Sequence, residues 1–385
     1  MLRQIFIVSA LNFKSLTSRF WQSMVIVVGL AATIGVMLSM LSLSAGMREA
    51  YVKAGDPDRA IVVSKGADQE GQSAITRAMA PLIADAPGIA KDKDGKPLAD
   101  RGLQMGVPVL RNDGSKGYTT MRGMADKGPS VRPELHIVTG RMFQPGKREL
   151  IVGVGAHSLF QHMGVGDKVI LPDGQWPIVG IFATGDLLEG QLLGDTETLA
   201  AALHRTAYNS VLVRLTSPDS LNTFKKALTT NPALSVSVER HSDWYKRVGD
   251  QNTFTLALLG YIVGAVMAIG ALFGCLNTMY AAVSTRSREI ATLRALGYGA
   301  FPVAVSVILE AVLLSAAGAL IGAAIAWALF DGKQDLFNNS VFHLSVSPAQ
   351  FELGLIWAIA VALLGGLLPS IQAARRPVVE ALRAT

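Results

Sequence analysis

The stretch QNTFTLALLGYIVGAVMAIGALFGCLNTMYAAVST, residues 251–285, contains no charged residue, and RSREIATLRALG, residues 286–297, follows it at once with four. About 20 apolar residues are enough to cross roughly 30 Å of hydrocarbon. The first segment therefore reads as a membrane span, and the second as a short basic amphipathic helix leaving it. Three further runs match this pattern. Phe20 to Met47 is uncharged, residues 295–330 carry only Glu310, and Leu353 to Ala374 carries no charge. The apolar cores lie at Met24–Leu43, Phe254–Val283, Pro302–Phe330 and Leu353–Leu368, within segments 24–46, 254–283, 302–330 and 353–374. Half of the chain is hydrophobic and 17% is charged. Four such runs are not explained by the buried helices of a soluble enzyme.

The first apolar run is longer than the roughly 7–15 residues of a signal-peptide core, so an uncleaved span is expected. Before it, Phe6, Ala10, Phe13 and Leu16 recur at helical spacing with Lys14 and Arg19, which predicts an amphipathic interfacial helix over residues 1–23. Orientation follows from the basic residues flanking the spans. Arg3, Lys14, Arg19, Arg286, Arg288, Arg294, Arg375, Arg376 and Arg383 are opposed on their side only by Glu289 and Glu380. The loop 331–352 instead holds Asp331, Lys333, Asp335 and Glu352. Both termini, the loop 284–300 and the tail 375–385 are thus expected in the cytoplasm, and 47–250 outside it. That outer segment has 25 Lys/Arg and 23 Asp/Glu, so the net charge of +6 is an orientation signal and no nucleic-acid partner is implied. The single cysteine, Cys275, lies in a span, which leaves the outer segment to fold on its own core.

The outer segment reads as mixed α and β. Ala60–Ser64 is a buried-strand pattern, and Ile75, Met79, Leu82 and Ile83 fall on one helix face that Pro87-Gly88 ends. Leu103–Leu110 and Gly117–Arg122 flank Asn112-Asp113-Gly114, a hairpin signal; Lys168–Leu171 and Trp176–Phe182 flank Pro172-Asp173-Gly174, a second one. Glu149–Val154, Ser210–Leu215 and Leu234–Glu239 are further strand patterns, interleaved with helices near 196–204 and 219–229. Strands alternating with helices predict small βαβ units over a sheet. Helix-compatible sequence at both joins, 47–54 and 242–250, predicts a stiff two-helix stalk.

The chain contains no Gly-x-x-x-x-Gly-Lys-Ser/Thr loop, no His-Glu-x-x-His and no Gly-x-Ser-x-Gly, so no catalytic, metal or cofactor site is expected in it. Its informative segment is Asn277–Gly297. Ile290, Leu293 and Leu296 line one face, Arg286, Arg288, Glu289 and Arg294 supply charge, and Gly297 suits a helix C-cap. Positive-inside topology alone accounts for the arginines; the compact apolar face further fits a plug for a partner's groove. Glu310 is an intramembrane acid and so a candidate for function, yet it lies close enough to the cytoplasmic face to pair with those arginines. Gly260, Gly264, Gly270 and Gly274 form small-x-x-x-small pairs suited to close packing within the chain or across a dimer.

The segment resembles the loop signature of the FtsX/MacB-type permease family of ABC transporters through Asn277, Arg286, Arg288, Glu289, Ile290, Leu293, Arg294, Ala295, Leu296 and Gly297. Glu310, Gly318 and Gly322 also match, as do Pro369, Ala373, Ala374, Arg375, Pro377, Ala381, Leu382 and Arg383 in the tail. Gly140–Ile181 looks like the family's periplasmic core domain. The resemblance implies an α-helical membrane protein of four transmembrane helices, with a mixed α/β periplasmic domain inserted between the first and second. It also implies a bacterial inner-membrane permease in a dimer, with a second copy or a paralogue, docked on a separate ATPase that binds the ATP. Coupling would run through Arg286–Gly297, and mechanotransmission would take the place of a substrate pore.

A periplasmic adaptor and an outer-membrane channel are further expected partners, beside membrane lipids. The MacB proteins carry the ATPase on the same chain, so the arrangement here is similar to the LolC/LolE and DevC-type permeases. Export of a lipid, peptide or drug-like substrate is the leading expectation. Lipoprotein release and FtsX-like regulation of a cell-wall hydrolase stay open beside it; the roughly 200-residue outer domain favours export, since FtsX-like regulators usually have a smaller one.

Overall fold

The computed structural model describes residues 20–337, 340–344 and 346–375, together with residues 4, 6 and 8. The amphipathic helix expected over 1–23 and the tail motif from Pro377 to Arg383 fall largely or wholly outside the described residues. Two compact units are present: Gly46–Thr253 with Lys333–His343, and Met1–Ala45 with Phe254–Gly332 and Leu344–Thr385.

Helix α1 (Phe20–Ala54) precedes β1 (Arg59–Ser64), β2 (Ile75–Thr76), α2 (Met79–Ala84), β3 (Ala99–Leu110) and β4 (Lys116–Met124). Then come α3 (Gly128–Val131), β5 (His136–Gly140), β6 (Leu150–Gly153), α4 (Val154–Leu159), β7 (Lys168–Leu171) and β8 (Gly174–Ala183). Next are β9 (Leu192–Asp195), α5 (Thr196–Ala202), β10 (Ala207–Tyr208), β11 (Ser210–Arg214), α6 (Leu221–Thr229) and β12 (Val236–Arg240). The long α7 (His241–Thr285) is followed by α8 (Ser287–Ala295), α9 (Ala300–Phe330), β13 (Gln334–Phe337), β14 (Ser340–His343) and α10 (Pro348–Arg375).

The main sheet of the α/β unit runs β12-β1-β11-β3-β4-β9-β6-β8-β5, with β7 on β8. Both hairpins form at the expected turns: Leu110 pairs with Lys116 across the Asn-Asp-Gly loop, and Leu171 with Gly174 across Pro172-Asp173. The βαβ expectation needs correction. Only β4–β9 and β6–β8 are parallel among the pairs of this sheet, because most neighbours are hairpin partners or distant strands, and chain order does not set the sense of those pairings. Ile75 also leaves the helix assigned to it. It lies in β2, opposite Tyr208, and Leu82 of α2 is exposed.

Strand β3 serves both halves of the sheet. Ala99–Gly102 pairs with β11 and Leu103–Leu110 with β4. One core accordingly gathers Val62, Ile83, Val211 and Phe224, and another gathers Met121, Leu150, Trp176 and Leu192. At the crossing point a Cβ on Gly102 would sit 2.7 Å from Ser210 Oγ, so a side chain here would have to displace the hydroxyl that donates to Glu70. Hairpin β13–β14, formed by loop 331–352, belongs to this α/β unit, where β14 packs beside the turn Leu187–Gly190.

Buried charges under the sheet are paired, as burial requires. Arg122 reaches Glu70 at 2.7 and 2.9 Å, Arg132 reaches Asp100 at 3.1 Å, and Arg59 grips Glu134 at 2.6 and 2.8 Å. His241, at the start of α7, accepts the Asp56 backbone N–H on Nδ1 at 3.2 Å. Burial, and then the positive charges of Arg132, Arg59 and Arg122, hold the imidazole well below its ordinary value of 6.5. The unfolded chain therefore binds a proton here that the folded chain does not. The stability tied to neutral His241 is complete above pH 6.5 and falls as the solution is acidified below it. His241→Gln should flatten that acid limb in thermal melts of the full chain between pH 8 and pH 5. An equally steep fall in the variant would assign the limb to other groups.

In the second unit, α1, α7, α9 and α10 are each long and apolar enough to cross a membrane. Small residues set how closely they approach. A Cβ on Gly318 would stand 2.6 Å from the Val27 carbonyl oxygen, and one on Gly322 would stand 2.3 Å from that of Ala31. Gly354 faces Ile34, and Gly365 faces Cys275. Gly260 and Gly264 pack on Met40 and Met37 of α1, whereas Gly270 and Gly274 meet nothing within 4 Å. The two small-x-x-x-small pairs thus differ: Gly260 and Gly264 pack within the chain, and Gly270 and Gly274 are open.

Candidate functional site

Helix α7 stops at Thr285, whose hydroxyl turns back to the carbonyls of Ala281 and Ala282. Arg286 then leaves the helical region, with φ −96 and ψ 9, and α8 starts in a new direction. Glu289 stands in its first turn and Arg294 in its last, each favourable to the helix dipole. The C-terminus is a Schellman motif: Tyr298 N–H donates to the Leu293 carbonyl and Gly297 N–H to that of Arg294, both at 3.1 Å. Gly297 adopts φ +91, the left-handed geometry expected of it.

Arg286 and Glu310 come together. The guanidinium Nη1 lies 2.9 Å from Oε2 of Glu310 on α9, and both side chains are 5% exposed. Val283, Ile290, Val303 and Val307 surround the pair, and Val8 lines the same small space. A lone charge there would be costly to bury; the ion pair offsets that cost and fastens the α7–α8 kink to α9. Arg294 makes a second tie. Its Nη1 donates at 2.9 Å to the Ala374 carbonyl, near the C-terminus of α10, where helix carbonyls lack intrahelical partners. Sequence reading named Arg294 but not this acceptor, because a backbone carbonyl at a helix end carries no side-chain signal.

The apolar face assigned to α8 needs correction. Ile290 is buried, 8% exposed, among the residues of α7 and α9, and Leu293 is half-buried; only Leu296, 72% exposed, is presented outward. The kink at Arg286 rolls α8 so that one side of its stripe closes the helix unit. What remains accessible is Arg288, Glu289, Thr292, Ala295 and Leu296, a mainly polar strip ending in one large apolar side chain. Gly297 is exposed beside it. Among the described residues no group of histidine, cysteine, aspartate and glutamate could hold a metal ion.

The profile of the MacB-like periplasmic core domain matches residues 23–231, and that of the FtsX-like permease C-terminal region matches residues 261–378. A macrolide export ATP-binding/permease protein MacB of Marinobacter nauticus is 36% identical over 132 residues, which cover 34% of this chain and 20% of that protein. The chain therefore spans about a fifth of that relative's length. An uncharacterized ABC transporter permease of Bacillus subtilis, YvrN, is 23% identical over 415 residues, covering 97% of this chain and 98% of the relative. The periplasmic region of MacB from Actinobacillus actinomycetemcomitans aligns with a TM-score of 0.39 at 11% identity, over 51% of this chain and 94% of that one.

Proposed function

This chain belongs to the FtsX/MacB-type family of ABC transporter permeases, and from that premise we propose that it couples a separate cytoplasmic ATPase to movement of its α/β unit outside the membrane. The observation that carries this reading is the division of α8. Ile290 roots the helix in the span bundle, the Arg286–Glu310 pair binds it to α9, and Leu296 with its polar strip faces out. A partner pushing on that strip would load α7 and α9 directly. The single helices α1 and α7, 35 and 45 residues long, would serve as stalks that carry the displacement onward.

Sidedness is supported by the arginines flanking the spans and by hairpin β13–β14, whose residues Lys333–His343 group with Gly46–Thr253. On this reading α8 and both termini are cytoplasmic, in a bacterial inner membrane. A second copy or paralogue completes the permease, for which the open Gly270 and Gly274 on the span least covered by its own chain offer a close-packing face. Transport proceeds by mechanotransmission, with a periplasmic adaptor and an outer-membrane channel receiving a lipid, peptide or drug-like substrate.

Leu296→Asp puts a charge on the large exposed apolar side chain that caps α8 without touching the bundle. Co-purification with a co-expressed ABC ATPase should fall about tenfold or more, on the scale of losing a small interface anchor, while the thermal midpoint of the permease stays put. Undiminished ATPase association in that variant would remove α8 as the docking element.

A further inference from the structure

A cavity of about 210 Å³ opens within the α/β unit. Amide side chains from four segments converge on it: Gln69, Gln104 of β3, Gln191 and Asn252 of α7. Tyr245 and Tyr51 supply aromatic surface, with ring centroids 6.2 Å apart. Its charged groups cancel. Arg122, 3% exposed, gives two N–H groups to the Glu70 carboxylate and a third to Gln191 Oε1 at 3.0 Å, and Ser210 donates to the same carboxylate at 2.5 Å.

Four properties define what fits. A paired carboxylate and guanidinium leave no net charge to attract an anion or a cation. The side-chain oxygen of Gln104 is buried and meets no donor among the described residues; such an orphaned acceptor costs about 1–3 kcal/mol, which a guest carrying O–H or N–H groups would recover. Burial, against the opposing charge of Arg122, pushes the Tyr245 hydroxyl up to about 12, so it stays a neutral donor at physiological pH. The space equals roughly seven waters, too small for a drug-sized molecule and too polar for an acyl chain. Dense donors and acceptors beside aromatic faces match a ring that is hydroxylated at its edge and C–H-bearing on its face.

We propose that this cavity is a binding site for a neutral, hydroxyl-rich ring, a single sugar unit, either free or carried as the head of a lipid. Asn252 directly precedes the apolar run of α7, and Tyr51 lies a few residues past that of α1. Two of the lining residues are thus close in sequence to apolar segments.

The full chain in phosphatidylcholine nanodiscs, free of sugar-based detergent, is titrated with methyl glucoside, with glycerol phosphate and with glycine betaine. A parallel preparation contains nanodiscs doped with monoglucosyl diacylglycerol. Saturable methyl glucoside binding identifies a free sugar, and retention of the glycolipid alone identifies a lipid-borne one; glycerol phosphate and betaine should not bind in either case. Gln104→Leu should weaken binding about tenfold, the scale of one hydrogen bond. Gln69→Ala, at an exposed position unlinked to the core, tests the site should Gln104→Leu fold poorly. Ordered water only in the cavity, with no sugar or glycolipid bound, overturns the proposal, as does preference for the anion or affinity unmoved by both substitutions. No ATPase is required, so failure here leaves the docking role of α8 standing.

Discussion

Glu310→Ala, with Arg286 left in place, is expected to destabilise the span unit by about 3–5 kcal/mol, because it removes the carboxylate that the Arg286 guanidinium, 5% exposed, meets at 2.9 Å. The consequence should be visible as loss of folded permease on gel filtration and a lowered thermal midpoint. Arg286→Met should behave similarly from the other side, by removing the guanidinium that Glu310 Oε2 meets at 2.9 Å. The informative variant is the pair. Arg286→Met with Glu310→Leu replaces two buried charges by apolar groups of comparable size, which is commonly neutral or stabilising by about 1–4 kcal/mol. Stability should therefore return in the double variant. ATPase stimulation should not, if the pair transmits force from α8 to α9. Recovery of both would reduce the pair to a packing element, and recovery of neither would mean that the surrounding residues cannot close over an apolar replacement.

Gly322→Val should be nearly as damaging, for a different reason. Its Cβ would stand 2.3 Å from the carbonyl oxygen of Ala31 and 2.9 Å from the Ala31 Cα, and backbone cannot move aside as a flexible side chain can. Overpacking of this kind costs about 1–3 kcal/mol, more where neither partner yields, and here it would wedge α9 from α1. Gly270→Val provides the contrast. Nothing stands within 4 Å of that position, so the monomer should melt unchanged. If the open pair lies in a seam between copies, cross-linking of purified permease should fall in Gly270→Val alone. Equal stability losses in the two variants would show that the second span packs on its own chain at a place where the structure leaves it open.

Much of this architecture was legible in advance because its causes are local. Uncharged runs identify spans wherever hydrocarbon is the solvent, and the Asn-Asp-Gly and Pro-Asp-Gly turns position hairpins through backbone geometry that only a few residue types permit. The Gly297 cap is likewise written in a single residue. Errors arose where a choice depends on partners remote in sequence. The βαβ expectation held only for the parallel pairs β4–β9 and β6–β8; elsewhere partners remote in sequence decided, as where β11 runs antiparallel to β3 some 110 residues away, and Ile75 left its helix to meet Tyr208.

The candidate site divides along the same line. Sequence alone determined that residues 286–297 form a basic amphipathic helix after a span, and that Glu310 needs a cationic partner in hydrocarbon. Tertiary structure chose that partner as Arg286, turned Ile290 inward and Leu296 outward, gave Arg294 the carbonyl of Ala374, and brought Gln104, Arg122 and Tyr245 around one cavity. Periodicity specifies that a helix has an apolar face. Which part of the face is covered depends on the rotation set at the Arg286 kink, and that rotation is fixed by contacts with α9 and α10.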